Sequence, residues 1–115
     1  MTAQHPSETV RAYLSAAVEG DAKKMRRLQQ RSYPGRSGSS LRQFLLAFEI
    51  DHIEDVSDVM ADVYFRMALA PRTELGPRLF RLRCVCEDRE GHPTPDGQWG
   101  VNPASLKAMK NEAAA

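Results

Sequence analysis

The amino-acid sequence predicts an α+β fold in which N-terminal helices pack on an antiparallel sheet and a short C-terminal helix closes the chain. Apolar residues recur at helical spacing over positions 10–28, and from position 59 onward apolar and polar residues alternate in separate runs. Pro- and Gly-rich segments divide those runs. At 115 residues the chain has the length of one domain, and a domain of this size buries roughly 65% of its unfolded surface. Hydrophobic residues at 42% and charged residues at 27% are ordinary globular values, so neither a disordered nor a fibrous class is favoured.

Ser7 is a favoured helix N-cap because its oxygen accepts from the free amides of the first turn, and Glu8 adds negative charge at the positive end of the dipole. Val10, Leu14, Ala17 and Val18 then share one helical face, with Tyr13 beside them. Gly20 suits the left-handed position that ends a helix, and Asp21 caps a second one directly. That second helix, expected over 22–30, buries Ala22, Met25 and Leu28 and turns its cations outward. "RSYPGRSGSS" reads as a surface loop with a mobile tip. In the next stretch Leu41, Phe44, Leu45 and Phe48 fit a helix capped by Ser40, whereas Leu46, Phe48 and Ile50 fit a strand running on to Glu54. A short helical turn passing into a strand is expected within 41–48.

"DVMADVYFRMAL" is a strand, with Val59, Ala61, Val63, Phe65, Met67 and Leu69 on one face. "PRLFRLRCVCED" repeats the scheme, placing Phe80, Leu82, Cys84 and Cys86 on one face and Arg81, Arg83 and Glu87 opposite. "APRTELGP" connects the two strands, and "DREGHPTPDG" forms a second loop ending in a strong turn pair. In the last strand Trp99 and Val101 share the apolar face. Asn102 then reads as an N-cap and Pro103 as a first helical residue, starting a short helix through Leu106 and Met109. Residues 1–6 and 111–115 are read as flexible tails and 7–110 as one domain.

Several function classes fall away at this stage. No run approaches the roughly 20 apolar residues of a membrane span, and the opening residues lack the basic start and apolar stretch of a signal peptide. A cytoplasmic protein with no membrane partner is expected. Cys84 and Cys86 leave the same strand face too near for ordinary disulfide geometry, so they read as buried free thiols. No second Cys or His pair stands at finger-like spacing, and neither a metal nor a cofactor is expected. The phosphate-loop, Gly-x-Ser-x-Gly and His-Glu-x-x-His motifs are missing from the sequence.

The net charge of +1 conceals a polarised chain, with seven cations and no acid from Ala22 to Phe48, and six acids and no Lys or Arg from Glu49 to Phe65. The two blocks are expected to attract each other or face water. The sharper alternative is electrostatic docking of the basic second helix (Lys23, Lys24, Arg26, Arg27) on an anionic partner. A sequence pI near 7.8 and the lack of aromatics among these cations speak against a dedicated nucleic-acid binder.

"ETVRAYLSAAVEGDAKKMRRL" resembles the opening helices of the nuclear transport factor 2-like superfamily, and "DGQWGVN" is similar to its closing strand. The resemblance spans about residues 7–106. It implies a curved antiparallel sheet wrapped around the helices as a cone, often paired into homodimers through the sheet. It hardly specifies function, because members include isomerases, dehydratases, cyclases, binding modules and transport adaptors. No acid or base carries over to this chain residue by residue.

The favoured reading is a non-catalytic small-ligand or protein interaction module, homodimeric through an outer face carrying Tyr64, Arg66, Arg81 and Arg83 around Met60, Ala68, Leu79 or Val85. Trp99, Tyr13 and Phe65 are the candidate lining of a cavity that would take a small apolar ligand, although Trp99 and Tyr13 read first as core residues. The alternative is a small isomerase- or lyase-like enzyme. There His52, which shares strand parity with Phe48 and Ile50, would shuttle a proton beside Tyr13. As an ordinary residue, His52 would be a strand-end histidine beside Asp51 and Glu54.

Overall fold

The computed structural model describes residues 5–33, 35 and 39–110. Of the tails expected at 1–6 and 111–115, residues 1–4 and 111–115 lie outside the described residues, as does most of the expected mobile tip of the Gly/Ser loop, while residues 5 and 6 form the start of the first helix. Three helices, α1 (Pro6–Glu19), α2 (Ala22–Leu28) and α3 (Ser39–Phe44), precede four strands, β1 (Leu45–Ser57), β2 (Met60–Leu69), β3 (Phe80–Glu87) and β4 (Gln98–Ala108). The strands form one antiparallel sheet in the order β1-β2-β3-β4, so each pairs with its sequence neighbour. The sheet is curved and unclosed, and the expected α+β architecture is observed.

α1 starts two residues earlier than a cap at Ser7 implies. His5 is the cap: its Nδ1 accepts from the Ser7 amide at 3.2 Å, and its own amide donates to Glu8 Oε1 at 3.1 Å. Pro6 explains the shift, since a proline fits the first helical position, where its missing N–H costs nothing. Gly20 ends the helix at φ 75°, a left-handed conformation natural to glycine, and Asp21 caps α2 by accepting from the Lys24 amide at 3.1 Å. Val10, Tyr13, Leu14, Ala16 and Ala17 are all essentially inaccessible, whereas Val18 is 41% exposed and lies off the buried stripe.

That stripe lies against the inner face of the sheet, where Val63, Phe65, Met67, Leu82, Cys84 and Val101 join Met25, Leu41 and Leu45 in one core. Full burial of each large apolar side chain contributes roughly 1.5–3 kcal/mol. Both cysteines are free and buried, as their spacing requires. The change from helix to strand in the ambiguous stretch falls between Phe44 and Leu45.

The expected C-terminal helix is replaced by strand. β4 runs on to Ala108, with Lys107 opposite Arg81 and Ala108 opposite Phe80. Asn102 does accept from the Ala104 amide at 3.0 Å, as a cap would, but Ser105 Oγ then donates to the Asn102 carbonyl and accepts from the Arg83 amide. The result is a local turn that bulges the strand and returns it to β3. Pro103 is tolerated because β4 is an edge strand and the bulge needs no amide there.

β1 carries irregularities at three places, one of them between Ile50 and His52. A bulge inverts the parity of everything beyond it. Ile50 therefore lies opposite Phe65 on the inner face, while His52 lies opposite Tyr64 on the outer one.

Candidate functional site

A cleft of about 600 Å³ opens between the end of α2 and the start of β4. Its first wall is Arg26 and Arg27, both exposed on the last turn of α2. Beyond Leu28 the chain becomes extended, and Gln29 makes a parallel bridge to Val101, sealed by the Gln30 amide donating to the Val101 carbonyl at 2.9 Å. Residues 29–33 thus run as a strap over the outer edge of β4, bringing Gln29, Gln30, Arg31 and Tyr33 to the cleft.

The opposite wall is Gln98, Trp99 and Gly100. Trp99 is half-buried, packing against the core cluster while lining the cleft. Gly100 is required by the strap: a Cβ there would stand 2.5 Å from Gln30 Cα and 2.6 Å from its nitrogen. No side chain fits between two backbones that close.

Glu87, only 4% exposed, anchors the strap from β3. It accepts from Gln30 Nε2 at 3.1 Å, from the Ser32 amide at 3.2 Å and from the Ser32 hydroxyl. Its carboxylate is thereby engaged within the chain, and among the described residues the three guanidinium groups of Arg26, Arg27 and Arg31 are the charged groups left to meet a ligand at the cleft rim. Gln29 is held by donation from its Nε2 to the Gly35 carbonyl at 2.8 Å, and Gln30 Oε1 is enclosed with no partner among the described residues.

The residues expected to form a site are dispersed. Of the candidate lining, Trp99 reaches the cleft, whereas Tyr13 at 1% exposure and Phe65 at 0% belong to the core. His52 and Tyr13 are not brought together, because the sheet lies between them. The His52 side chain is 46% exposed, stacks on Tyr64 with ring centroids 4.5 Å apart and bonds Asp51 at 2.6 Å. The single cavity needed for a His52–Tyr13 proton shuttle is therefore not formed.

Tyr64, Arg66, Arg81 and Arg83 do share the outer face, and each has a partner within the chain. Tyr64 donates to Glu54 at 3.0 Å, Arg66 to Asp51 at 2.7 Å and Arg81 to the Ser105 carbonyl at 2.9 Å. Arg83 grips the buried Asp62 with two donors, at 2.8 and 3.0 Å. Two acids of the second charge block, Asp51 and Asp62, thus pair across the sheet with Arg66 and Arg83, which lie outside the basic block. Hydrogen bonds from His52 and Arg66 hold the Asp51 carboxyl below its usual value, and burial pushes the Tyr64 hydroxyl up.

Arg26, Arg27 and Arg31 belong to the basic block seen in the sequence, but their meeting with Trp99 depends on the strap, which local patterning does not announce. A glycine beside the sole tryptophan, at position 100, is the sequence signal for a close backbone approach. Among the described residues no cluster of three or more His, Cys, Asp or Glu side chains is disposed to hold a metal ion, and no helix is long and apolar enough to cross a membrane. No family model, curated protein or solved structure matches the chain.

Proposed function

We propose that this chain is a non-catalytic small-ligand-binding module of the nuclear transport factor 2-like type, with its ligand held in the cleft between α2 and β4. Two helices leading into an antiparallel meander are compatible with that type, and the segments that carry the resemblance form α1, α2 and the start of β4. The observation that carries the binding role is Trp99, which gives one part of its ring to the core and another to a cleft rimmed by three arginines. A volume of about 600 Å³ lies within the roughly 300–1,000 Å³ typical of small-molecule sites. The polar lining favours a charged ligand over the apolar one expected from strand faces alone.

Pairing of two copies through the outer face is supported less well. Ala68 and Val85, expected at its apolar centre, are 1% and 7% exposed and already covered within the chain. The proposal therefore rests on ligand binding. A thermal-shift screen of the purified protein against mixed metabolites tests it, run beside Gln98→Phe, which places bulk in the cleft from an exposed position. Stabilising compounds that lose their effect in Q98F are expected. A screen without hits, or hits indifferent to Q98F, would refute cleft binding.

A further inference from the structure

Resting on that reading, we infer that the ligand is a nucleotide-like aromatic anion, with a flat ring against Trp99 and a phosphate among Arg26, Arg27 and Arg31. Three features of the cleft converge on this class. The first is charge: three guanidinium groups face one carboxylate, Glu87, whose oxygens are already taken by Gln30 and Ser32. Guanidinium forks match phosphate oxygens in pairs, and three of them around one rim exceed what a single carboxylate ligand would use.

The second feature is the aromatic surface. Trp99 is half-buried and held by the core, so its ring is ordered before a ligand arrives, and Tyr33 stands on the other wall. A pre-ordered indole is a stacking platform for any purine or pyrimidine face. The third is the amide of Gln98, exposed beside Trp99 on the same wall. A glutamine amide offers both a donor and an acceptor to a base edge. A purely anionic ligand would leave the indole unused, and a purely aromatic one would leave the arginines unanswered.

Trp99 is the chain's only tryptophan, so its emission reports this cleft alone. The full chain is titrated with adenosine monophosphate, adenosine, inorganic phosphate and a six-residue oligoadenylate. Saturable quenching by the monophosphate is expected, with adenosine and phosphate each about tenfold weaker or more. Binding should weaken with added salt, and by roughly tenfold in Arg26→Gln/Arg27→Gln. Both positions are exposed, and unchanged thermal melting of the double variant separates a binding loss from a folding loss.

Adenosine binding as well as its monophosphate, without salt dependence, would overturn the ligand class while leaving the cleft as a site. An oligonucleotide binding more than tenfold tighter than the monophosphate would overturn the free-nucleotide form in favour of a nucleic-acid strand. Trp99 emission indifferent to all four probes would overturn the class too. The Q98F-sensitive metabolite screen then decides separately whether the cleft binds anything.

Discussion

Gly100 is the residue on which the cleft depends most. Its virtual Cβ meets backbone atoms, Gln30 Cα at 2.5 Å and Gln29 carbonyl carbon at 2.9 Å, which cannot move aside as a side-chain tip can. Gly100→Ala is expected to lift the strap from β4, break the Gln30-to-Val101 hydrogen bond and destabilise the fold by about 1–3 kcal/mol in urea unfolding. Gly76→Ala is the control. Its Cβ would stand 3.6 Å from the Met67 carbonyl, an ordinary contact, so a change within about 0.5 kcal/mol is expected. Equal losses in the two variants would mean that close packing under the strap is not what Gly100 provides. Single residues also show where a sequence can mislead. Trp99 shares its strand face with Val101, and that parity correctly places part of the ring against the core. Gly100 beside it signals that another backbone comes close, but not that residues 29–33 supply it and turn the rest of the ring into a cleft wall.

At the scale of elements, alternation identifies β2 and β3 because both are interior strands with one face on the core. It works less well for the two edge strands. β1 is exposed along most of its length and its register shifts between Ile50 and His52, so parity counted from Phe48 puts His52 on the wrong face. In β4 the cap-like Asn102-Pro103 pair has the local chemistry of a helix start, and pairing with β3 overrides it through Ser105. Helix α2, expected to run to residue 30, ends at Leu28, because Gln29 and Gln30 are drawn out by contacts with β4 and β3. Glu87→Ala tests the contact with β3, since it removes the acceptor for Gln30 Nε2 and both Ser32 donors. Hydrogen exchange at the Ser32 amide is expected to quicken by about tenfold or more, with roughly 1–3 kcal/mol lost overall, because buried donors would be left unpaired. Exchange in the α1 amides should not change by more than the global loss requires. Unaltered exchange at Ser32 would show that Glu87 does not hold the strap.

The molecule as a whole is one core between α1 and a curved sheet, with both thiols inside and Asp62 and Glu87 as its buried carboxylates, and the groups it encloses set its response to pH. On the acid side, Asp51 is held below its usual range by His52 and Arg66. Its contribution is present above about pH 3.8 and is lost as pH falls through the lower folded value. That carboxyl lies at the surface, where solvent screens it, and the larger effect lies on the alkaline side. Burial pushes the Cys84 thiol from 9.0 up to about 12, with the Asp62 charge adding in the same direction. The folded chain keeps a proton that the unfolded chain gives up. Stability is therefore whole below about pH 9 and should fall by about 1.4 kcal/mol per pH unit as pH rises toward 12. Cys86, raised mainly by burial, and Tyr64, raised by burial and by its bond to Glu54, steepen the loss. Cys84→Val removes one titrating group at little change of volume, so its stability at pH 7 is expected within about 1.5 kcal/mol of the parent. Between pH 9 and 10.5 the variant should then lose about 2 kcal/mol less than the parent, read from urea midpoints at each pH. Parallel loss in the two proteins over that range would show that the buried thiol at Cys84 is not what makes the fold sensitive to alkali.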